Sequence, residues 1–254
     1  MTLINNTKKS NDYYIIYGLN NCLNFFKSNN DFSINSIILD ENGIAINEKV
    51  ISSKISSYGK IVKILDSREF NNKYDFKHSQ GILVKFTGNL YSDLYSTKDF
   101  PENSCVLIAD QIKDPQNLGQ IIRTSECAGV NGIILPKHRS VHLSNSVLQV
   151  SQGAFFHINI YVETNLVSTI EYLKSKGFWI IGLENSIDSK EWHDIDYKGK
   201  IAIVVGSEGE GIRRLVKKSC DFLTTIKMNG KINSLNVSAA VSAILFERQR
   251  QLSK

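Results

Sequence analysis

Apolar positions along the chain change period several times, and each change marks an element. Ile15 to Tyr17 form a short apolar run. After Gly18, Leu19, Cys22, Leu23 and Phe26 recur at the spacing of one helical face. Ser33 to Leu39 reads as a strand. Asn47 to Tyr58 predicts a helix with Val50, Ile51, Ile55 and Tyr58 inward, and further strands are expected at Lys60 to Leu65 and Gly81 to Phe86. Together these make a compact αβ unit, near the smallest size that folds comfortably alone.

The stretch TGNLYSDLYSTKDFPE that follows is polar and aperiodic, and reads as a joining segment. Beyond it strand and helix alternate. Strands are expected at Cys105 to Ala109, Gly132 to Leu135, Ile158 to Val162, Phe178 to Leu183, Ile201 to Val205 and Phe222 to Ile226. Helices are expected at Leu118 to Ala128, from Ser144, at Leu166 to Lys176, shortly after Gly211, and from Leu235 to about Gln251. Such alternation predicts a mostly parallel sheet with helices on both faces. The chain is thus divided into a disordered N-terminus (1–12), a first domain (13–88), a linker (89–102) and a second domain (103–254).

Composition adds little to this picture. The hydrophobic share of 42% and charged share of 22% are ordinary for a protein with a real core. A formal net charge of +5 permits a polyanionic partner, but the pI of about 8.9 falls short of a strongly basic domain. Cys22, Cys105, Cys127 and Cys220 include no CxxC pair, so neither a zinc signature nor a disulfide framework is expected, and they read as reduced thiols. The N-terminus lacks the apolar core of a signal peptide, and no apolar run approaches the roughly 20 residues of a membrane span. A cytoplasmic protein without a membrane partner is expected.

Three clusters could carry chemistry. In the first, Asp114 to Gly119, Asn117 is a candidate N-cap for the helix that follows, and Arg123 stands nearly two turns along it. An ordinary capped helix with a surface arginine accounts for the same residues. In the second, Gly206-Ser207-Glu208-Gly209-Glu210-Gly211 follows a buried-type strand. Glycines there let the backbone approach a ligand at the carboxyl end of a sheet. Their spacing is not GxGxxG, and the acidic residues oppose a phosphate cradle, so a cationic ligand fits better. In the third, Ser234 and Asn236 straddle Leu235 at the start of the last helix, where either could cap it while the other faces a cleft. Histidines 78, 138, 142, 157 and 193 show no catalytic pairing. All three clusters lie where a strand ends and a helix starts, and in a parallel sheet those points converge on one edge.

In this order, Asn117 to Arg123 with Gly129, GSEGEG at 206–211 and SLNVSAA at 234–240 resemble the signature motifs of the SpoU (TrmH) family of RNA 2′-O-ribose methyltransferases, over residues 103–251. Ile16-Tyr17-Gly18 and His78-Ser79-Gln80-Gly81 resemble landmarks of the RNA-binding domain that precedes the catalytic domain in bacterial 23S rRNA guanosine 2′-O-methyltransferases. The resemblance implies an α/β domain of the SPOUT class with a trefoil knot, a homodimer whose interface helps form the site, and S-adenosylmethionine as methyl donor without a metal. It implies donor contacts at Gly206, Ile226 and Leu235. It assigns Asn117, Arg123, Glu208, Ser234 and Asn236 to the catalytic site, with Arg123 as the base-like group. An ordinary guanidinium holds its proton to about pH 12.5, so a relay through a substrate phosphate, or a positioning role, stands beside that assignment. Lys227, Asn233, Gln152 and Asn159 depart from the residues common in the family.

The resemblance points to methylation of a guanosine ribose in large-subunit rRNA. A tRNA ribose methyltransferase of the same family and a non-catalytic RNA-binding or ribosome-assembly protein are the rivals. Residues 1–88 carry eleven Lys and Arg against eight Asp and Glu, a surplus compatible with RNA read by shape.

Overall fold

The computed structural model describes residues 13–28, 31–74, 76–97, 99–185, 189–207 and 209–253. The expected disordered N-terminus, 1–12, and Glu208 lie outside them. The chain divides into two compact units, one running to Asn89 and the other starting at Leu90.

The first unit contains β1 (Tyr14–Tyr17), α1 (Leu19–Lys27), β2 (Ser33–Asp40), α2 (Lys49–Tyr58), β3 (Val62–Leu65), α3 (Ser67–Lys73) and β4 (Ile82–Thr87). Its sheet runs β1-β4-β2-β3, with β4 antiparallel to both neighbours and β2 parallel to β3. The buried face of α1 is Cys22, Phe25 and Phe26 with Asn21, so Phe25 takes the place expected of Leu23. In α2 only Ile51 is buried; Val50, Ile55 and Tyr58 are half-covered. Helix α3 was not expected: Phe70 is its one buried residue, and Asp66 caps it by accepting from the N–H groups of Arg68 and Glu69, both at 3.0 Å. Gly18 offers no side chain to cap α1, and Gln80 Oε1 supplies the acceptor instead, 2.9 Å from Leu19 N. The two landmark segments of this unit therefore meet.

The second unit alternates strand and helix. It comprises β5 (Cys105–Ala109), α4 (Pro115–Cys127), β6 (Gly132–Pro136), α5 (Asn145–Val150), β7 (Asn159–Glu163), α6 (Leu166–Ser175), β8 (Trp179–Leu183), β9 (Lys190–Glu191), β10 (Ile201–Val205), α7 (Arg214–Lys218), β11 (Phe222–Thr225) and α8 (Val237–Leu252). The seven strands pair in parallel in the order β7-β6-β5-β10-β8-β11-β9. Every residue of β5, β6 and β10 is buried, as strands covered on both faces require. Val106, Ile108, Ala202 and Val204 pack with Ile170 of α6 and Val216 of α7. The alternate positions Leu107, Ile133, Leu135 and Ile203 are buried too, so the opposite face is also covered, on the side where α4 packs against α5 and α8.

The segment expected as a linker does more than join. Leu94 and Phe100 belong to the core of the second unit, and Ser92 N donates to Ile160 O at 2.8 Å along β7. Its apolar residues are spaced for neither helix nor strand, because they are fixed by the sheet they reach.

Gly119 faces α5 so closely that a Cβ there would sit 2.5 Å from Val150 Cβ. Gly119→Ala gains about 1 kcal/mol of helix propensity, but overpacking costs roughly 1–3 kcal/mol. The expected outcome is a lowered unfolding temperature for the full chain; an unchanged or raised one would contradict this packing.

Burial also sorts the thiols. Cys22 and Cys105 are buried, Cys220 is half-buried and Cys127 is exposed. Burial raises the first three thiols, Cys105 and Cys220 to about 12, so at pH 8 they stay protonated and unreactive. One thiol per chain should react rapidly with iodoacetamide in the native protein, and four after denaturation. Rapid labelling of Cys105 would show the sheet to be looser than described.

Candidate active site

The carboxyl ends of β10, β8 and β11 frame a cavity of about 210 Å³. Chain geometry at the end of β10 makes it. A side chain on Gly206 would place its Cβ 2.0 Å from the carbonyl carbon of Gly211, so only glycine lets the chain fold back there. Ser207 N donates to Gly211 O at 3.2 Å, and Gly211 N returns a bond to Ser207 O at 2.9 Å. Gly211 itself is left-handed, with φ 66°, and its Cα faces the Glu184 carboxylate. The second cluster is therefore a closed turn. Gly206, Ile226 and Leu235, the expected donor contacts, all line the cavity, as does Ser234.

A second cavity of about 200 Å³ lies on the other side of the same turn, sharing Ser207 and Val237 with the first. Asn117 lines it. It is not the N-cap of α4, as expected from its position: Asp114 is, accepting from Gln116 N at 2.9 Å, with Pro115 as first helical residue. Proline loses nothing there because its missing N–H would have been unpaired anyway. Asn117 is left within the first turn, buried, with its amide free for another task. Asn236 Nδ2 donates to Asn117 Oδ1 at 2.8 Å. The Asn236 Oδ1 accepts from Ser238 N at 2.8 Å and Ser238 Oγ at 2.6 Å, so Asn236, not Ser234, caps α8. Both amides are thereby held in one orientation.

Arg123 is not brought to either cavity. It lies on the exposed stripe of α4 with Gln116, Gln120 and Cys127, about 9 Å along the axis from Asn117.

Charged residues passed over by the sequence reading hold the site's frame. Asp110, fully buried just past β5, accepts from Arg213 Nε at 2.7 Å and from Arg213 N at 2.9 Å. Glu184 lines the first cavity, accepts from Ile212 N at 3.2 Å and lies 3.4 Å from Lys217 Nζ. Asp110 carried one readable signal, a carboxylate closing an apolar strand; its partner 103 residues away did not. Apolar walls, main-chain groups and one carboxylate suit a ligand with a flat apolar part and a positive charge.

A sequence profile of the SpoU rRNA Methylase family matches residues 104–246, more than half of the chain. A Bacillus subtilis protein named for the TrmH family of tRNA/rRNA methyltransferases is 32% identical over 247 residues, covering 96% of this chain and 97% of its own length. The chain belongs to the SpoU (TrmH) family of RNA methyltransferases. Among solved structures, this family member has the fold of an AdoMet-bound rRNA methyltransferase from Sinorhizobium meliloti, with a TM-score of 0.78 at 24% identity over 95% of this chain and 88% of that one. A TrmH/SpoU tRNA-modifying enzyme from A. aeolicus, 28% identical with a TM-score of 0.55, matches 60% of this chain and 78% of its own. Of the four departures from the family's usual residues, Asn233 alone lines the first cavity of this SpoU chain.

Proposed function

We propose that the chain transfers a methyl group from S-adenosylmethionine to a ribose 2′-hydroxyl of RNA, on a guanosine of large-subunit rRNA. The observation that carries this reading is the Asn236–Asn117 hydrogen bond. It joins the first and third clusters beside the turn made by the second, with one cavity on each side of that turn. The first cavity suits the donor: Gly206 leaves the main chain bare, apolar side chains form walls, and the Glu184 carboxylate complements a positive charge. Bound there, S-adenosylmethionine would supply an electrophilic sulfonium methyl. Gly206, Ile226 and Leu235 would hold it, largely through backbone groups.

Asn117, Arg123, Glu208, Ser234 and Asn236 form the catalytic set in this reading. The paired asparagines orient the ribose, and fixing reactants in a near-attack geometry supplies much of the acceleration in such a transfer. Arg123 is the base-like group. Its exposed place on α4, outside its own chain's cavities, favours a homodimer in which the interface completes the site. A trefoil knot in the second unit belongs to the same reading. The first unit would bind the RNA. Coverage favours rRNA over tRNA: the match to the rRNA-titled structure spans 95% of the chain, and that to the tRNA-modifying enzyme 60%.

The test is incubation of the purified chain with labelled donor and unmodified large-subunit rRNA, then tRNA. Transfer to rRNA alone is expected. Transfer to tRNA alone would move the substrate. No transfer to either, with donor binding intact, would sink the enzymatic reading in favour of a binding protein.

A further inference from the structure

A third hollow opens beside the active site, and neither the donor nor the reacting ribose accounts for it. It encloses about 670 Å³ and is bounded by Gln111, Lys113, Arg139, Ser140, Glu210 and Arg213. That volume is within the range of roughly 300–1,000 Å³ that encloses a small organic ligand, so a nucleotide fits. Lys113 and Glu210 also line the cavity of Asn117, so the two hollows adjoin.

The walls are built to present positive charge. Arg213 is anchored through its Nε and its main chain to buried Asp110, which leaves its two terminal amino groups without a partner among the described residues. Arg139 is exposed and likewise has no acceptor among the described residues. Lys113 and Glu210 are 3.3 Å apart, but both side chains are more than 60% exposed; such a pair is screened and easily exchanged for a stronger anion. Two bonds tie the loop of Arg139 to the segment carrying Lys113: Ser140 Oγ and Val141 N both donate to Ile112 O, at 2.9 and 2.8 Å. Gln111 and Arg139 both hold left-handed backbone, φ 62° and 60°, a conformation that side chains this large adopt rarely and that clusters at working sites.

We propose that Lys113, Arg139 and Arg213 grip a backbone phosphate of the RNA next to the ribose being methylated. This rests on the reading under Proposed function and adds to it a positioning site. Arginine suits the task because its planar fork pairs with two phosphate oxygens at once. Phosphate contacts set the register of a nucleic acid without reading its sequence, so the site would place the strand while other contacts choose it.

The experiment compares the full chain with Arg139→Ala, Lys113→Ala and the double variant. Binding of an unmodified large-subunit rRNA transcript is titrated at several KCl concentrations, and donor affinity and kinetics are measured alongside. Each single variant is expected to weaken RNA binding by about tenfold and to reduce the slope of log affinity against log salt by roughly 0.7–0.9, the change for one phosphate contact. KM for RNA should rise while donor Kd stays within twofold, and Arg139→Lys should restore part of the loss. If the wild type methylates RNA but the double variant binds RNA with unchanged affinity and salt slope, the proposal is overturned. It is overturned equally if the variants lose donor affinity instead. A wild type that transfers to no RNA tells against the enzymatic reading, not against the charge of this hollow, which the same salt titration still tests.

Discussion

Gly206→Ala should weaken S-adenosylmethionine binding by roughly 10- to 100-fold, from an overpacking penalty of about 1–3 kcal/mol at a factor of ten per 1.4 kcal/mol. The cause is contact, not conformation: Gly206 is not among the glycines with positive φ. Its missing Cβ would lie 2.0 Å from Gly211 C and 2.3 Å from Ile212 N. These are main-chain atoms of the turn, tied back to Ser207 by two hydrogen bonds and to Glu184 by a third, so they cannot step aside as a side-chain tip would. Relief requires the turn to open, and the turn is the wall shared by both cavities. Isothermal titration would show the loss, while β10 itself, buried upstream, keeps the unit folded. A donor Kd within twofold of wild type would mean that the turn yields freely and that its closure does not shape the site.

The same turn shows how much of this protein is legible in its sequence. The apolar runs at Cys105–Ala109 and Ile201–Val205 announce strands covered on both faces, and such strands sit side by side in the sheet. The glycines at 206, 209 and 211 announce a backbone that must fold tightly. Spacing alone does not say against what. Gly206 yields to Gly211, and Gly211 yields to Glu184 from another strand. Helix α3 escaped because one buried residue in seven makes no period. Leu94 and Phe100 escaped because they answer to the sheet rather than to each other.

At the first cluster a local signal was present and was outranked. Asp114-Pro115 is a capping residue followed by the favoured first residue of a helix, and it starts α4 three residues earlier than the apolar pattern suggests. That shift is what frees Asn117 to meet Asn236 from 119 residues away. Capping of α1 by Gln80, 61 residues on, is the same kind of event in the first unit. Pairings of this length follow from topology and have no period to reveal them.

Arg123→Ala should lower turnover by about 10²–10⁴-fold, the usual contribution of a positioned base, with donor affinity within a few-fold of wild type. The separation of the two effects follows from position. Arg123 lines neither cavity, so its loss leaves the donor's walls intact. It is exposed on α4, where truncation typically changes stability by no more than about 0.5 kcal/mol. A rate loss without a binding loss would then belong to the reaction and not to the fold. A parallel loss of donor affinity would count against the assigned role, and an unchanged rate would remove Arg123 from the catalytic set. Mixing sharpens the result further. Gly206→Ala subunits lack a donor site and Arg123→Ala subunits lack the arginine. If the arginine serves the partner's site in a homodimer, mixed dimers contain one complete site and recover a measurable fraction of activity. If it serves its own chain, the mixture stays as inactive as its parts, because every subunit then lacks either its donor or its arginine.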